Sequence, residues 1–142
     1  MSQENVDTFK RGIDAFNRGD IDAFLEGLDA EVEWHPVFQV VMLGGVAAVY
    51  RGHEGVRDEL REWYETLGEV QVAISETRDL GERIVAIGRV RARGQESGAP
   101  VEFPGAWVVE YKNGKAVRVR EYLDPKEALE AAGLPRRRFS PA

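Results

Sequence analysis

The chain contains no cysteine, which excludes a disulfide, a thiolate metal site and a cysteine nucleophile, and it suits a reducing compartment. Histidine is almost as scarce. Only His35 and His53 are present, without the close helical spacing that gathers metal ligands, so neither a metal nor any other cofactor is expected. No apolar run approaches the roughly 18 residues of a membrane-spanning helix, and the opening MSQENVDTFKR is too polar for a secretory signal; a cytoplasmic protein is expected. Basic charge is in deficit, with 19 Lys and Arg against 25 Asp and Glu and a net charge of −6, which argues against nucleic acid as a partner. The single basic run, Arg136, Arg137 and Arg138, reads as a solvated end. Gly44-Gly45 lacks the lysine and context of a phosphate loop, and the Gly-x-Ser-x-Gly pattern of serine hydrolases is missing.

What is present suffices for one core. A chain of 142 residues, 43% hydrophobic and 31% charged, fits a single folded domain, here residues 1–135 followed by a basic tail, 136–142. Val6, Phe9, Ile13 and Phe16 recur every three or four residues and predict a helix from about Gln3 to Asn17. Gly19 turns the chain and Asp20 caps a second helix, with Phe24, Leu25 and Leu28 as its buried stripe. Glu31 to His35 alternates as a strand and stops at Pro36. Phe38 to Tyr50 is expected to form a loop or short hairpin, and Val56, Leu60, Trp63, Tyr64 and Leu67 predict a third helix from His53 to Leu67.

Four strands follow, over Val70 to Thr77, Arg83 to Arg93, Val101 to Tyr111 and Ala116 to Leu123. Asn113-Gly114 makes the last two a hairpin, because both residues readily take positive φ. Asp124-Pro125 opens a short last helix that ends at Gly133. Helices gathered against an antiparallel sheet make this an α+β fold.

Phe16-Asn17-Arg18-Gly19-Asp20-Ile21, Tyr50-Arg51-Gly52-His53-Glu54-Gly55-Val56, Gly114-Lys115-Ala116-Val117 leading to Glu121-Tyr122-Leu123-Asp124, and Glu127 to Leu134 together resemble the SnoaL-like branch of the nuclear transport factor 2-like superfamily. The resemblance implies a cone-shaped α+β barrel, in which a strongly curved antiparallel sheet and three helices enclose a pocket, with a short C-terminal helix. It also implies a homodimer through the outer sheet face. It does not imply one activity, since this fold carries isomerases, cyclases, dehydratases and non-catalytic binders.

Laid over ketosteroid isomerase, the general base falls on His35, whose ordinary pKa near 6.5 suits a proton acceptor. The two oxyanion donors fall on Gly12, which has no side chain, and near Trp107, which keeps an indole N–H. The same comparison turns Val117, Val119, Glu121 and Leu123 toward the pocket, making Glu121 an acid among apolar residues. His35 and Glu121 are therefore the catalytic candidates, with Trp107, Tyr50, Tyr64, Val119 and Leu123 as ligand-contacting candidates. Strand parity leaves an alternative: if Val32 and Trp34 face inward, His35 faces solvent. Two functions follow as expectations. One is a metal-independent isomerase, cyclase or dehydratase-like lyase that takes a proton from beside a carbonyl of a small apolar molecule. The other is a non-catalytic domain that binds a small hydrophobic ligand.

Overall fold

Val6, Phe9 and Phe16 pack on the core and Ile13 lines the cavities beside it, so the four form one inward stripe on helix α1 (Ser2–Arg18). The structure, a computed structural model, describes residues 2–38, 41 and 48–134. Of the segment from Phe38 to Tyr50, eight residues lie outside the described ones, as does the basic tail 136–142. Gly19, at φ +79°, ends α1, and the Asp20 side chain accepts from the Ala23 N–H at 3.1 Å to cap α2 (Ile21–Glu26). Leu28, expected in the stripe of that helix, instead begins strand β1 (Leu28–His35), because α2 ends at Gly27 after six residues.

The remaining elements are β2 (Tyr50–Arg51), α3 (Gly52–Thr66), β3 (Leu67–Asp79), β4 (Arg83–Gly94), β5 (Pro100–Lys112), β6 (Lys115–Tyr122) and α4 (Pro125–Ala131). Asn113 (φ 53°) and Gly114 (φ 78°) make the expected tight turn between β5 and β6. Asp124 caps α4, accepting from the Lys126 N–H at 2.9 Å.

These strands form one curved, unclosed sheet in the order β2-β1-β6-β5-β4-β3. Its neighbours are antiparallel except β1 and β6, which run parallel with Trp34 beside Val119. A parallel pair needs a long crossover, and α3 with four strands, β2 to β5, supplies it. The concave face carries the main core: Phe24 of α2 and Val56, Leu60 and Trp63 of α3 close over Val90, Phe103, Trp107 and Val119. The outer face carries a second, smaller core, in which Ala128 and Leu129 of α4 pack on Val85, Ala106 and Val108. Among the described residues, no helix is long and apolar enough to cross a membrane.

Two glycines allow this bend. Gly88 on β4 pairs with Gly105 on β5, next to the point where β3 slips register between Ile74 and Glu76. A Cβ on Gly88 would lie 2.0 Å from the Ala73 carbonyl oxygen, and one on Gly105 would lie 2.9 Å from the Phe38 ring. The first clash is with backbone, which cannot rotate aside. Gly88→Ala is therefore expected to lower stability by at least about 2 kcal/mol, read as a fall in the urea midpoint. A variant as stable as the parent would show that β3 and β4 separate freely to admit the methyl group.

Candidate functional site

The polarity of β1 decides what the concave face presents. Val32 and Trp34 are buried, while Glu33 and His35 turn to the opposite face. Behind Trp34, the sheet and helices α1 and α3 leave a cavity of about 70 Å³, walled by aromatic rings that include Phe16, Trp34, Phe38, Trp63 and Trp107. These rings interlock: Phe38 meets Trp107 edge to face at 5.5 Å, and Trp63 stacks on Phe103 at 6.3 Å. Two carboxylic acids, Glu59 and Glu121, share this apolar space.

Their surroundings differ. Glu121 Oε1 accepts from the main-chain N–H groups of Val37 (2.9 Å) and Phe38 (3.2 Å), and Oε2 accepts from the Trp34 indole (3.1 Å). Burial raises its pKa from 4.5 to about 7 despite those three donors. Glu59, 1% exposed, meets the Trp63 indole N–H at 2.9 Å. Burial first, and then the charge of Glu121, hold its pKa well above the ordinary 4.5. Three donors stabilise a carboxylate better than one, so Glu121 ionises first and Glu59 keeps its proton. The cavity thus holds an acid and a base side by side in kind, set apart by hydrogen bonding.

The residues expected from the sequence scatter around this geometry. Glu121, Trp107 and Tyr64 line the cavity. Val119 lines an adjoining space, and Leu123 packs against the core without lining either. Tyr50 lies outside and donates to Glu62 at 2.9 Å. His35 does not line the cavity: its side chain is 36% exposed, and Nε2 sits 3.2 Å from Glu33, which also pairs with Arg51 and Arg118. The structure therefore does not bring His35 and Glu121 together. Solvating three polar residues on one face while burying Val32 and Trp34 on the other is the favourable parity.

Glu59 was not among the expected site residues, although it falls on the inward stripe of α3 with Val56, Leu60 and Trp63. A glutamate in register with that stripe was the signal. Trp34 and Phe38 were missed as well, and Trp63 reads from its spacing as packing alone. His53, at the start of α3, is hydrogen-bonded through Nε2 to the Leu28 carbonyl at 2.9 Å. Among the described residues, no group of three His, Asp or Glu side chains is placed to hold a metal.

Comparison with known proteins agrees with this architecture. A model of the SnoaL-like domain family matches residues 9–119. Among solved structures, a nuclear transport factor 2-like protein of unknown function from Burkholderia pseudomallei K96243 superposes with a TM-score of 0.76 at 26% identity, covering 89% of this chain and 95% of that one. A protein of Xanthomonas campestris pv. campestris described as a candidate polyketide cyclase reaches 0.69 at 22% identity, covering 88% and 93%. A Catenulispora acidiphila DSM 44928 protein with a ketosteroid isomerase-like fold, in complex with trimethylamine, reaches 0.69 at 14% identity, covering 91% and 94%. The last two show the cone-shaped fold alone. No curated protein sequence matches the chain.

The two acids respond differently to neutral replacement. Between 4.5 and about 7 the folded chain keeps a Glu121 proton that the unfolded chain has released, so stability falls as pH rises through that window. Glu59→Gln, which substitutes one neutral group for another, is expected to change stability by less than about 1 kcal/mol at pH 7, or to raise it. Glu121→Gln loses an acceptor and sets an amide N–H₂ against a buried donor, at a cost of about 1–3 kcal/mol, and flattens the decline between pH 5 and 8. Urea titrations across that range measure both. A Glu59→Gln variant destabilised as much as Glu121→Gln would refute the assignment of the proton.

Proposed function

This chain belongs to the SnoaL-like domain family, and we propose that within it the protein is a proton-transfer enzyme of isomerase, cyclase or lyase type acting on a small, largely apolar carbonyl compound. One observation carries the reading: two buried carboxyl groups with opposite hydrogen-bonding surroundings line a single aromatic-walled cavity. A carboxylate has about four acceptor positions, and protein donors fill three on Glu121, which leaves one for a substrate proton. Glu121 thus takes the part of base that the isomerase comparison assigns to His35.

Proton removal from the carbon beside the carbonyl forms an O–H bond on Glu121 and moves negative charge to the substrate oxygen. The neutral Glu59 carboxyl can donate to that oxygen. Trp107 borders the same cavity, and in this reading its indole N–H is a second donor. The apolar walls exclude water, so both hydrogen bonds strengthen as charge develops.

A second reading has its own support. All three donors to Glu121 come from the protein, which also describes an acid that only ties strands together. The domain would then bind a hydrophobic ligand without turnover.

Cyclohexanone in D₂O separates the two, with α-proton exchange followed by NMR. The enzyme reading expects saturable exchange whose rate rises through about pH 7, as Glu121 loses its proton. It expects a loss of about 100-fold or more in Glu121→Gln and about tenfold in Glu59→Gln, with His35→Ala within about twofold of the parent. Binding without exchange supports the non-catalytic reading, and exchange that survives Glu121→Gln removes Glu121 as base.

The family resemblance further leads us to propose a homodimer through the outer sheet face. On that face Glu102 pairs with Arg89 and Arg91, and Glu110 pairs with Arg118 and Arg120. Sedimentation at micromolar concentration should give twice 15.9 kDa; a monomer would overturn this.

A further inference from the structure

A second cavity, of about 60 Å³, lies beside the first. Ile13, Phe24, Trp34 and Trp107 border both and form the partition between them. The second chamber is apolar, with Leu28, Val109 and Val119 among its walls, and Tyr111 borders it as well. That tyrosine is 5% exposed, yet among the described residues its hydroxyl has no hydrogen-bond partner. Arg120 Nε is the one polar side-chain atom among the described residues that is both sealed from solvent and unpartnered, so the Tyr111 oxygen keeps some accessible surface, on a residue that borders the chamber. A buried tyrosine ordinarily satisfies its O–H within the protein, and one that does not is available to a ligand.

Size points the same way. At about 70 and 60 Å³, each chamber alone falls far below the several hundred Å³ of an ordinary ligand site. A ligand of more than one ring must therefore take both chambers and displace Phe24 and Ile13 from the partition. Phe24 is carried by the six-residue helix α2, and Gly12, on α1, leaves space at the partition, since a Cβ there would meet only Phe24 Cδ1, at 3.9 Å. Along β5, Trp107, the register partner of Glu121, and Tyr111 are separated by roughly 13 Å of strand.

We propose that the two chambers form one elongated site for a largely apolar molecule of about two rings, with one polar end at Glu59 and Glu121 and a hydroxyl or carbonyl at the other held by Tyr111. The inference rests on the pocket reading above and adds the length and the second polar end of the ligand.

Phenol, 4-hydroxybiphenyl and 4,4′-dihydroxybiphenyl test it, titrated against the fluorescence of the cavity tryptophans. The parent should bind the diol about three- to tenfold more tightly than 4-hydroxybiphenyl, the worth of one added hydrogen bond. Tyr111→Phe should bring that ratio close to one. Gly12→Leu, which fills the partition space while improving helix propensity, should weaken both biphenyls about tenfold or more and leave phenol within about twofold. A ratio unchanged in Tyr111→Phe overturns the role of Tyr111. Equal weakening of phenol and the biphenyls in Gly12→Leu, or binding of phenol with neither biphenyl, overturns the elongated site alone. Failure of all three probes to bind the parent overturns the pocket reading with it.

Discussion

Glu121 Oε1 accepts the two main-chain N–H groups that follow Pro36, and Oε2 accepts the Trp34 indole, so a single carboxylate joins strand β6 to the end of β1. The two strands come from opposite ends of the fold and form its parallel pair. Without an acceptor there, two backbone N–H groups and an indole N–H would be left unpaired in an apolar interior, each costing about 1–3 kcal/mol. The same bonds turn Trp34 toward α2, where it meets Phe24 edge to face, and seat Phe38 against Trp107. The shape of the cavity and the position of its walls both follow from where this carboxylate is held.

Its electrostatic consequences reach Glu59. An ionised Glu121 in the same apolar space penalises a second negative charge, and with one indole as donor Glu59 has little to offset the penalty. The pair is divided by environment into one acid that readily ionises and one that does not. Such a division is unfavourable for stability and useful for proton transfer. Lining the space with aromatic rings rather than with polar side chains keeps the difference large, because little in the walls can solvate either charge.

Much of the framework was legible in short stretches of residues. The stripe of Val6, Phe9, Ile13 and Phe16, the Asn113-Gly114 turn and the Asp124-Pro125 helix start each depend on neighbours within a few positions, and each formed as its pattern indicates. Leu28 did not, since an apolar residue just beyond a helix can begin the next strand equally well. The site was less legible. The polarity of Glu31, Glu33 and His35 favours the solvent face, whereas the overlay on ketosteroid isomerase puts His35 inward, and in the structure the polarity prevails. Glu59 stood in the helix stripe but reads as surface charge until α3 is seen packed over Trp107 and Glu121. Tyr111 reads as an ordinary core aromatic, because an unpaired hydroxyl is visible only once its neighbours are placed.

The sequence by itself determined the helices, the hairpin and the caps, for these arise from backbone preferences and side-chain polarity acting over a few residues, while it left open which face of β1 turns inward. Only the tertiary structure decided that Glu59 and Glu121 share one cavity, that β1 runs parallel to β6, and that a second chamber lies behind Trp34 and Trp107. Those outcomes depend on pairing between segments distant in the chain and on the desolvation that closure of the sheet and helices imposes, and neither is encoded in any local pattern.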